Sequence, residues 1–301
     1  MDQRRAFGVA LAVTSATSFG VMPVLTKVVY DDGADTYGVL SFRFTLAAVV
    51  LLVLARIRRE QLPRGRQLGA LALLGGVGYV VESLCYFQAL ERISAGLTAL
   101  LLYLYPALVV LLAAAFLHQR PSRKAALCVA AATAGTALTV GPVAGGQLTG
   151  VLLGLGAAVS YSVYIVVGSR LTTGVGPFAT AAVVMGACGL VYVAIALTRG
   201  AAYPSSGTAW TALVGVALLG TVVAVACFFG ALALLGPSDT AVLSTVEPVV
   251  SVVVAMVVLD EVLTPVQAAG GALVIAAVVT LARIGSSGVG MKTPEGAARS
   301  A

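Results

Sequence analysis

The sequence predicts an all-α membrane protein with ten transmembrane helices arranged as two inverted five-helix repeats. Three observations predict this fold: the composition, the spacing of the apolar blocks and an ungapped internal repeat. Apolar residues make up 59% of the 301 residues and charged residues only 10%, and the mean hydropathy is +1.03. Soluble domains are roughly half apolar and about a quarter charged, so the composition excludes an ordinary soluble domain.

The apolar residues fall into ten blocks, separated by charges, Gly-Pro pairs and Ser/Thr clusters. A helix needs about 20 apolar residues to cross the hydrocarbon layer, and the blocks are close to that length. They are too long and too uniformly apolar for the strands of a barrel, so helices are expected. The predicted spans are residues 7–29, 37–55, 68–90, 95–117, 124–140, 148–169, 178–198, 208–235, 239–259 and 265–284.

Basic residues gather on one side of the predicted bundle. Lys and Arg near span ends are retained in the cytoplasm, so we expect a multi-pass protein of the bacterial inner membrane with both termini cytoplasmic. One side carries Arg4, Arg5, Arg56, Arg58, Arg59, Arg64, Arg66, Arg120, Arg123, Lys124, Arg170, Arg283, Lys292 and Arg299. The other side carries Arg92, Arg199 and Lys27 with Asp31, Asp32, Asp35, Asp260 and Glu261.

Several classes of partner are not expected. The net charge is +6, but the basic residues form short clusters without a long basic helix, which argues against nucleic acid. With His118 the only histidine, no paired Cys/His spacing offers a metal site. Cys85, Cys128, Cys188 and Cys227 lie inside apolar blocks, which indicates packing instead of disulfides. No nucleotide-binding loop is present, so we expect no cofactor and no metal.

An internal repeat divides the chain into halves. A shift of 142 positions, without a gap, aligns Cys85 with Cys227, Phe87 with Phe229, Thr98 with Thr240 and Pro106 with Pro248. An odd number of spans per half forces the second half to insert upside down, and inverted repeats are typical of transporters. We therefore predict a first repeat over residues 1–142, an inverted second repeat over 143–285, and a flexible cytoplasmic tail over 286–301.

Short motifs recur in the same order in both halves. They are Ser18-Phe-Gly, Phe42-Arg-Phe, Tyr86-Phe-Gln-Ala-Leu, Ala95-Gly-Leu-Thr-Ala and Tyr105-Pro106, then Phe228-Phe-Gly-Ala-Leu, Ser238-Asp-Thr-Ala, Glu247-Pro248, Asp260-Glu261, Thr264 and Gln267-Ala-Ala-Gly. In order and doubling they resemble the drug/metabolite transporter superfamily, in its ten-span branch built from two EamA domains. The resemblance covers about residues 6 to 284 and implies a small-molecule transporter, more often an exporter than an uptake protein. Phe19, where the family commonly has Trp, and Gln119, where the second half has Glu261, depart from the pattern.

Arg43 and Glu82 are charged residues inside predicted spans, at similar depth. Charges in the hydrocarbon layer are costly and mark functional sites or fixed partners. The two side chains could form an ion pair that only joins two helices, or they could handle substrate or protons. Tyr79 and Tyr86, three residues before and four after Glu82, share its helix face and suggest an inward-facing polar stripe.

Glu247 directly precedes Pro248 near the middle of the ninth span, and its repeat mate is Tyr105 before Pro106. Proline loosens a helix, and transporters place ligands at discontinuous helices near the midplane. These two sites are therefore expected to face each other across the pseudo-symmetry axis, with Glu247 able to take up and release a proton. The alternative is that both prolines only kink packed helices.

Four tyrosines lie at mid-depth, away from the interfaces where tyrosine is normally enriched. They could line a cavity for aromatic, amphipathic or cationic solutes, or they could be ordinary core residues. They are Tyr103, Tyr105, Tyr161 and Tyr164.

Lys27 lies at the end of the first span. Its long side chain could reach the interface, or it could gate the mouth of the bundle against Asp31 or Asp35. We include it, with Pro106 and Pro248, among the candidate gating residues.

These patterns favour a secondary active transporter that exports small metabolites, amino acids or drugs by alternating access, with protons as a candidate coupling ion. An uptake permease of the same fold and a membrane channel or scaffold remain the alternatives. An enzyme is not expected, because no paired catalytic groups occur at depth. The expected partners are a small-molecule substrate and the lipid bilayer, and the chain could be a monomer or a homodimer.

Overall fold

A computed structural model describes residues 3–116, 123–140, 147–171 and 174–288. All of the regular secondary structure in these ranges is helical. Six helices are long and apolar enough to cross a membrane, and four shorter apolar helices bring the total to ten. The predicted all-α, ten-helix membrane fold is confirmed.

The spans of the first half are Gln3–Asp31, Thr36–Ile57, a third made of Gly65–Leu73, the π-helical Leu74–Tyr79 and Val80–Arg92, a fourth made of Ala95–Leu102 and Tyr105–Phe116, and Arg123–Val140. The helices of the second half are Gln147–Leu171, Pro177–Arg199, Gly207–Ala217, the π-helical Leu218–Val223, Ala224–Ser244, Val246–Val258 and Pro265–Gly288. We number the spans one to ten in chain order, so that the sixth is Gln147–Leu171, the seventh Pro177–Arg199 and the tenth Pro265–Gly288. The eighth begins at Gly207 and the ninth ends at Val258, and the helix Ala224–Ser244 belongs partly to each.

One predicted break between spans is wrong. We expected a break between residues 235 and 239, but helical hydrogen bonding continues to Ser244 and the break lies at Thr245. A proline removes only one donor from the ladder, so a Gly-Pro pair need not end a helix. The last helix is Pro265–Gly288, and the tail predicted over residues 286–301 stays a prediction.

Other predictions fall on residues outside the described ranges. They are the rest of the tail, residues 289–301, the boundary between residues 142 and 143, and the positions of His118 and Gln119. The division into repeats at residue 142 therefore stays a prediction.

Short polar residues set several helix starts. Asp35 accepts the N–H of Gly38 at 2.7 Å, Ser94 accepts that of Leu97 at 3.2 Å, and Ser206 accepts that of Ala209 at 3.2 Å. These are N-cap bonds, which satisfy donors that the first helical turn leaves free. Pro177 occupies the first position of the seventh span, where its missing N–H costs nothing.

Helix packing follows the pseudo-two-fold relation between the halves. The second span packs on the seventh and the fifth on the tenth, and each of these pairs maps onto itself when the halves are exchanged. The first span packs on the eighth and the third on the sixth, and exchange converts one pair into the other. The spans of the two halves are thus interleaved, and the core of the bundle lies between the repeats.

Each half contains one π-helical segment at nearly equivalent positions, Leu74–Tyr79 in the third span and Leu218–Val223 in the eighth. Such segments widen a helix by one residue per turn and are frequent at functional sites. A span of the other half contacts each of them. The thiol of Cys188, in the seventh span, donates to the carbonyl of Gly75 at 3.1 Å. Thr221, in the eighth-span segment, accepts a hydrogen bond from Arg43 of the second span, as described below.

The two ends of the bundle differ in charge. We call the end with turns 32–35, 93–94, 200–206 and 259–264 the acidic end, and the opposite end the basic end. At the acidic end the N–H of Asp35 donates to the carbonyl of Ala202 at 3.1 Å. Asp32 Oδ2 accepts the N–H groups of Ser205 and Ser206 at 2.6 and 2.9 Å. The hydrogen bonds from Ser206 and Ser205 hold the pKa of Asp32 below its ordinary value.

Candidate functional site

Arg43 lies in the core of the bundle, with 2% of its surface exposed. Its Nε donates to Thr221 Oγ1 at 2.9 Å, on the π-helical segment of the eighth span. Its guanidinium lies 5.0 Å from the ring centroids of both Phe44 and Phe87, within cation–π distance. One hydroxyl and two aromatic faces therefore hold this charge in place.

Glu82 is also buried, at 6% exposure. Among the described residues, no ion pair joins Arg43 to Glu82 within 4.0 Å. The ion pair considered from the sequence is therefore not formed, because Thr221 and the two phenylalanine rings hold Arg43 instead. The Nη atoms of Arg43 and the carboxyl of Glu82 are therefore not engaged with each other, although both residues are buried.

Several buried polar groups have no hydrogen-bond partner in the protein. Within the described ranges, Thr180 Oγ1 is the only buried side-chain oxygen or nitrogen that is shielded from solvent and has no hydrogen-bond partner. Buried polar groups normally bond to protein or to water, so polar groups in the core that lack a protein partner are candidates for contact with substrate or water. Among the described residues, the carboxyl of Glu82, the Nη atoms of Arg43 and the hydroxyl of Tyr86 are buried without a hydrogen bond to the protein, and the hydroxyls of the half-buried Tyr79, Tyr105, Tyr161 and Tyr164 also form none.

Aromatic side chains from four spans form a continuous row beside these polar groups. Neighbouring centroids lie 4.9 to 6.0 Å apart, the range of favourable aromatic pairs. The row starts next to Arg43 and ends at the fourth-span break. In order it comprises Phe44, Tyr79, Tyr164, Tyr161, Tyr105 and Tyr103. We call these six residues the aromatic row.

Glu247 lies at the far end of the aromatic row. The hydroxyl of Tyr103 lies 2.9 Å from Glu247 Oε2 and 2.7 Å from the carbonyl oxygen of Ser244. Tyr103 begins the break in the fourth span, and Thr245, between Ser244 and Glu247, is the break in the ninth. The two discontinuous spans thus meet, but through Tyr103 and not through Tyr105, the repeat mate of Glu247.

The two prolines do not kink the middle of a helix. Pro106 is the second residue of Tyr105–Phe116, and Pro248 is the third of Val246–Val258. A proline in the first turn costs no intrahelical hydrogen bond. Each proline therefore starts the second part of a broken span, which corrects the interpretation of the prolines as mid-helix kinks.

Lys27 is half-buried at the acidic end. The acidic groups around its ammonium are Glu261, Asp31 and Glu91. Asp31 was one of the two partners considered from the sequence. Asp35 is engaged instead as the N-cap of the second span.

Sequence reasoning missed Thr221, Phe44 and Phe87 as the groups that hold Arg43. The 142-residue shift places Thr221 opposite Tyr79, so the repeat contained a signal that this position faces the core. It also missed the contact between Tyr103 and Glu247, because the 142-residue shift pairs Glu247 with Tyr105 and pairs Tyr103 with Thr245, the break of the ninth span.

Comparison with known proteins agrees with this architecture. The model of the EamA-like transporter family matches twice, over residues 6–141 and 148–283. The chain belongs to the EamA-like transporter family. This confirms the resemblance seen in the repeated motifs, and the protein is a transporter of small molecules in a membrane.

Two further proteins are similar to this EamA-like transporter. A protein of Streptantibioticus cattleyicolor with the name "Probable terminal-alkyne amino-acid exporter" is 31% identical over 293 residues, which cover 91% of this chain and 92% of the relative. A crystal structure of another protein has a TM-score of 0.65 and 20% identity, and covers 92% of this chain and 98% of that one. The second likeness concerns the fold alone.

The candidate site of this EamA-like transporter lies between its two repeats. Arg43, Glu82 and Tyr103 come from the first half, and Thr221 and Glu247 from the second. Inverted-repeat transporters place substrate and coupling ions at the repeat interface. The arrangement offers a cation at one end of an aromatic wall and a carboxyl group at each end of it.

Proposed function

We propose that this EamA-like transporter is a secondary exporter of small metabolites, with amino acids as the foremost class, that works by alternating access. The observation that carries the proposal is the presence of Arg43 and of two separate carboxyl groups, Glu82 and Glu247, next to residues of the aromatic row. The relative from Streptantibioticus cattleyicolor, whose name describes an amino-acid exporter, supports the same substrate class.

Arg43 is the proposed contact for the substrate carboxylate. A guanidinium has five N–H donors, and Thr221 uses only the one on Nε. The Nη groups can form paired, charge-assisted hydrogen bonds with a carboxylate. Because the two phenylalanine rings orient the guanidinium from its faces, its edge is free for this bidentate contact.

Glu82 and Glu247 are the proposed contacts for the substrate ammonium, and Tyr86 lies near both of them and near Arg43. A zwitterion pairs both of its charges in such a site, which offsets the cost of moving them out of water. The aromatic row then contacts the substrate side chain.

Glu247 is the proposed proton-coupling group. A carboxyl group next to a substrate site can bind either a proton or the substrate ammonium, and this competition couples the two movements. The hydroxyl of Tyr103 donates to Glu247 Oε2 and so holds the carboxyl group in position.

We also propose that the protein lies in the bacterial inner membrane with its basic end and both termini in the cytoplasm. The one-sided distribution of Arg and Lys supports this orientation. In the described residues, Arg56, Arg58, Arg59 and Arg64 all lie at or near the turn between the second and third spans.

Counterflow in proteoliposomes tests the proposed function. Liposomes loaded with one unlabelled amino acid, taken in turn from a panel of twenty, are diluted into the same labelled amino acid, and saturable accumulation is expected for a subset. Arg43→Gln is expected to abolish it. Arg58→Gln is the matched control, because Arg58 lies on the same chain segment beyond the second span and stacks on Phe178 at 5.7 Å.

Each other result of the counterflow assay has a defined meaning. Flux that rises linearly without saturation would favour a channel. Equal loss in Arg43→Gln and Arg58→Gln would remove the role proposed for Arg43. In a separate assay of net flux, movement only toward the basic end would favour the uptake permease over the exporter.

A further inference from the structure

The short helix Ala95–Leu102, the first part of the fourth span, is tethered at its N-terminal end by Glu261. Glu261 Oε1 accepts the N–H of Ala95 at 2.6 Å, and Oε2 accepts the N–H of Gly96 at 3.2 Å. These donors belong to the four N–H groups that an α-helix leaves unbonded at its start, where the helix dipole favours a negative charge. The tether is long-range, because Glu261 follows the ninth span.

The same helix is tethered at its other end. It stops at Tyr103, whose hydroxyl bonds to Glu247 and to the carbonyl of Ser244. A helix of eight residues is about 12 Å long, so this element is a short rod. Both ends of the rod are thus held by carboxylates of the ninth span or of the turn after it, Glu247 in the candidate site and Glu261 at the acidic end.

The rod lies directly against the ninth span. A Cβ atom on Gly96 would lie 3.3 Å from Val252 Cγ2 and 3.5 Å from Glu261 Oε2, so little space separates the two elements. Lys27 of the first span is near Glu261 and offsets its charge. One carboxylate at the acidic end, Glu261, therefore contacts the fourth span and lies near Lys27 of the first.

We propose that the Ala95–Leu102 helix is the gate at the acidic end of the transport path, with Glu261 as its latch and Tyr103 as its link to the substrate site. The link rests on the proposed function, because a substrate ammonium at Glu247 competes with the Tyr103 hydroxyl for the same oxygen. Loss of the bond to Glu247 leaves Tyr103 held only by the Ser244 carbonyl and so loosens the inner end of the rod. The turn at residues 103–104 then serves as the hinge, and the gate opens when Glu261 leaves Ala95 and Gly96.

Cysteine labelling tests this gate without any substrate. Thr98 is fully buried on the rod, so a Thr98→Cys reporter reacts with a membrane-impermeant maleimide only when the gate opens. The reporter is placed in a chain whose four native cysteines are replaced by serine, and labelling is measured separately from each side of the membrane. We expect Glu261→Gln to accelerate labelling from the acidic end roughly ten-fold, the effect of losing a charge-assisted hydrogen bond.

Glu60→Gln is the matched control. Glu60 Oε2 accepts the N–H of Ala179 at 2.7 Å and so tethers the start of the seventh span, but at the basic end. Labelling of Thr98→Cys is expected to stay at the parent rate in this variant. Equal acceleration by Glu60→Gln would mean general loosening of the bundle and would overturn the role of Glu261 as a specific latch.

Tyr103→Phe tests the link to the site. It removes a single hydroxyl, so it folds even where Glu261→Gln does not, and it is expected to accelerate labelling several-fold. A parent rate in Tyr103→Phe would overturn the link, and a parent rate in Glu261→Gln would overturn the latch. Because labelling needs no substrate, failure of the gate leaves the counterflow result unaffected, and failure of counterflow leaves the gate result unaffected.

Discussion

Gly75→Ala is expected to destabilise the protein, because the third and seventh spans approach too closely for a side chain at this position. A Cβ atom on Gly75 would lie 2.4 Å from the carbonyl oxygen of Val184 and 2.8 Å from its Cα. Both are backbone atoms, so no side-chain rotation can relieve the contact. The seventh span would have to move by about 1 Å, and overpacking of this kind costs about 1–3 kcal/mol.

A gain of smaller size opposes this cost. Replacing glycine by alanine in a helix reduces the entropy of the unfolded chain and contributes about 0.4–1 kcal/mol when the site has room. Gly69 provides the matched control, since it lies on the same span and a Cβ there would have no neighbour within 4 Å. Gly69→Ala is therefore expected to be neutral or stabilising, and Gly75→Ala to be destabilising by about 1–2 kcal/mol net.

The assay is thermal unfolding of both variants and the parent in the same detergent. The apparent midpoint of Gly75→Ala is expected several degrees below that of the parent, and that of Gly69→Ala at or above it. A Gly75→Ala midpoint equal to that of Gly69→Ala would refute the close backbone contact. It would also refute the packing of the seventh span on the π-helical segment, where Cys188 bonds to Gly75.

Three further predictions concern the site and the acidic end. Thr221→Val removes the hydrogen bond to Arg43 and is expected to raise the KM for counterflow roughly ten-fold. Thr211→Val, at an exposed position of the same span, is expected to leave the KM unchanged. An unchanged KM in both variants would contradict the positioning of Arg43 by Thr221. Glu247→Gln is expected to remove the dependence of export on a pH gradient, and full retention of that dependence would exclude Glu247 as the coupling group. Asp32→Asn is expected to lower the thermal midpoint at neutral pH, because hydrogen bonds lower the folded-state pKa of Asp32. The contribution of Asp32 to folding stability is complete above the ordinary Asp pKa and is lost as the pH falls through the lowered value. The parent and Asp32→Asn should therefore converge in strong acid, and a constant difference across pH would contradict this assignment.

The spans were predictable because a membrane imposes a length and an apolar composition on every segment that crosses it. The predicted first span, 7–29, lies within Gln3–Asp31, and the predicted seventh, 178–198, lies within Pro177–Arg199. The pairing of the halves was predictable for a related reason, since an odd number of spans per repeat forces inversion. The position of the ninth-span break was not predictable, because Gly236-Pro237 is the stronger local signal and yet the helix continues through it.

The candidate residues were predictable as a set but not as contacts. Arg43, Glu82 and Glu247 were identifiable because a charged side chain in an apolar span is costly and needs a partner or a function. Which partner each one has depends on helix rotation and on the approach of spans distant in sequence. Arg43 contacts Thr221, 178 positions away, and no local pattern in either span specifies that contact.

The sequence by itself thus determined the number of spans, their inversion and the residue types that occupy the core, because these follow from the solvent properties of lipid and from a visible repeat. Only the tertiary structure decided that Arg43 binds Thr221 instead of Glu82 and that Tyr103 reaches Glu247. It also decided that Glu261 holds the start of the fourth span. The physical reason is that close packing between interleaved spans selects one set of hydrogen-bond partners out of several that are chemically equivalent.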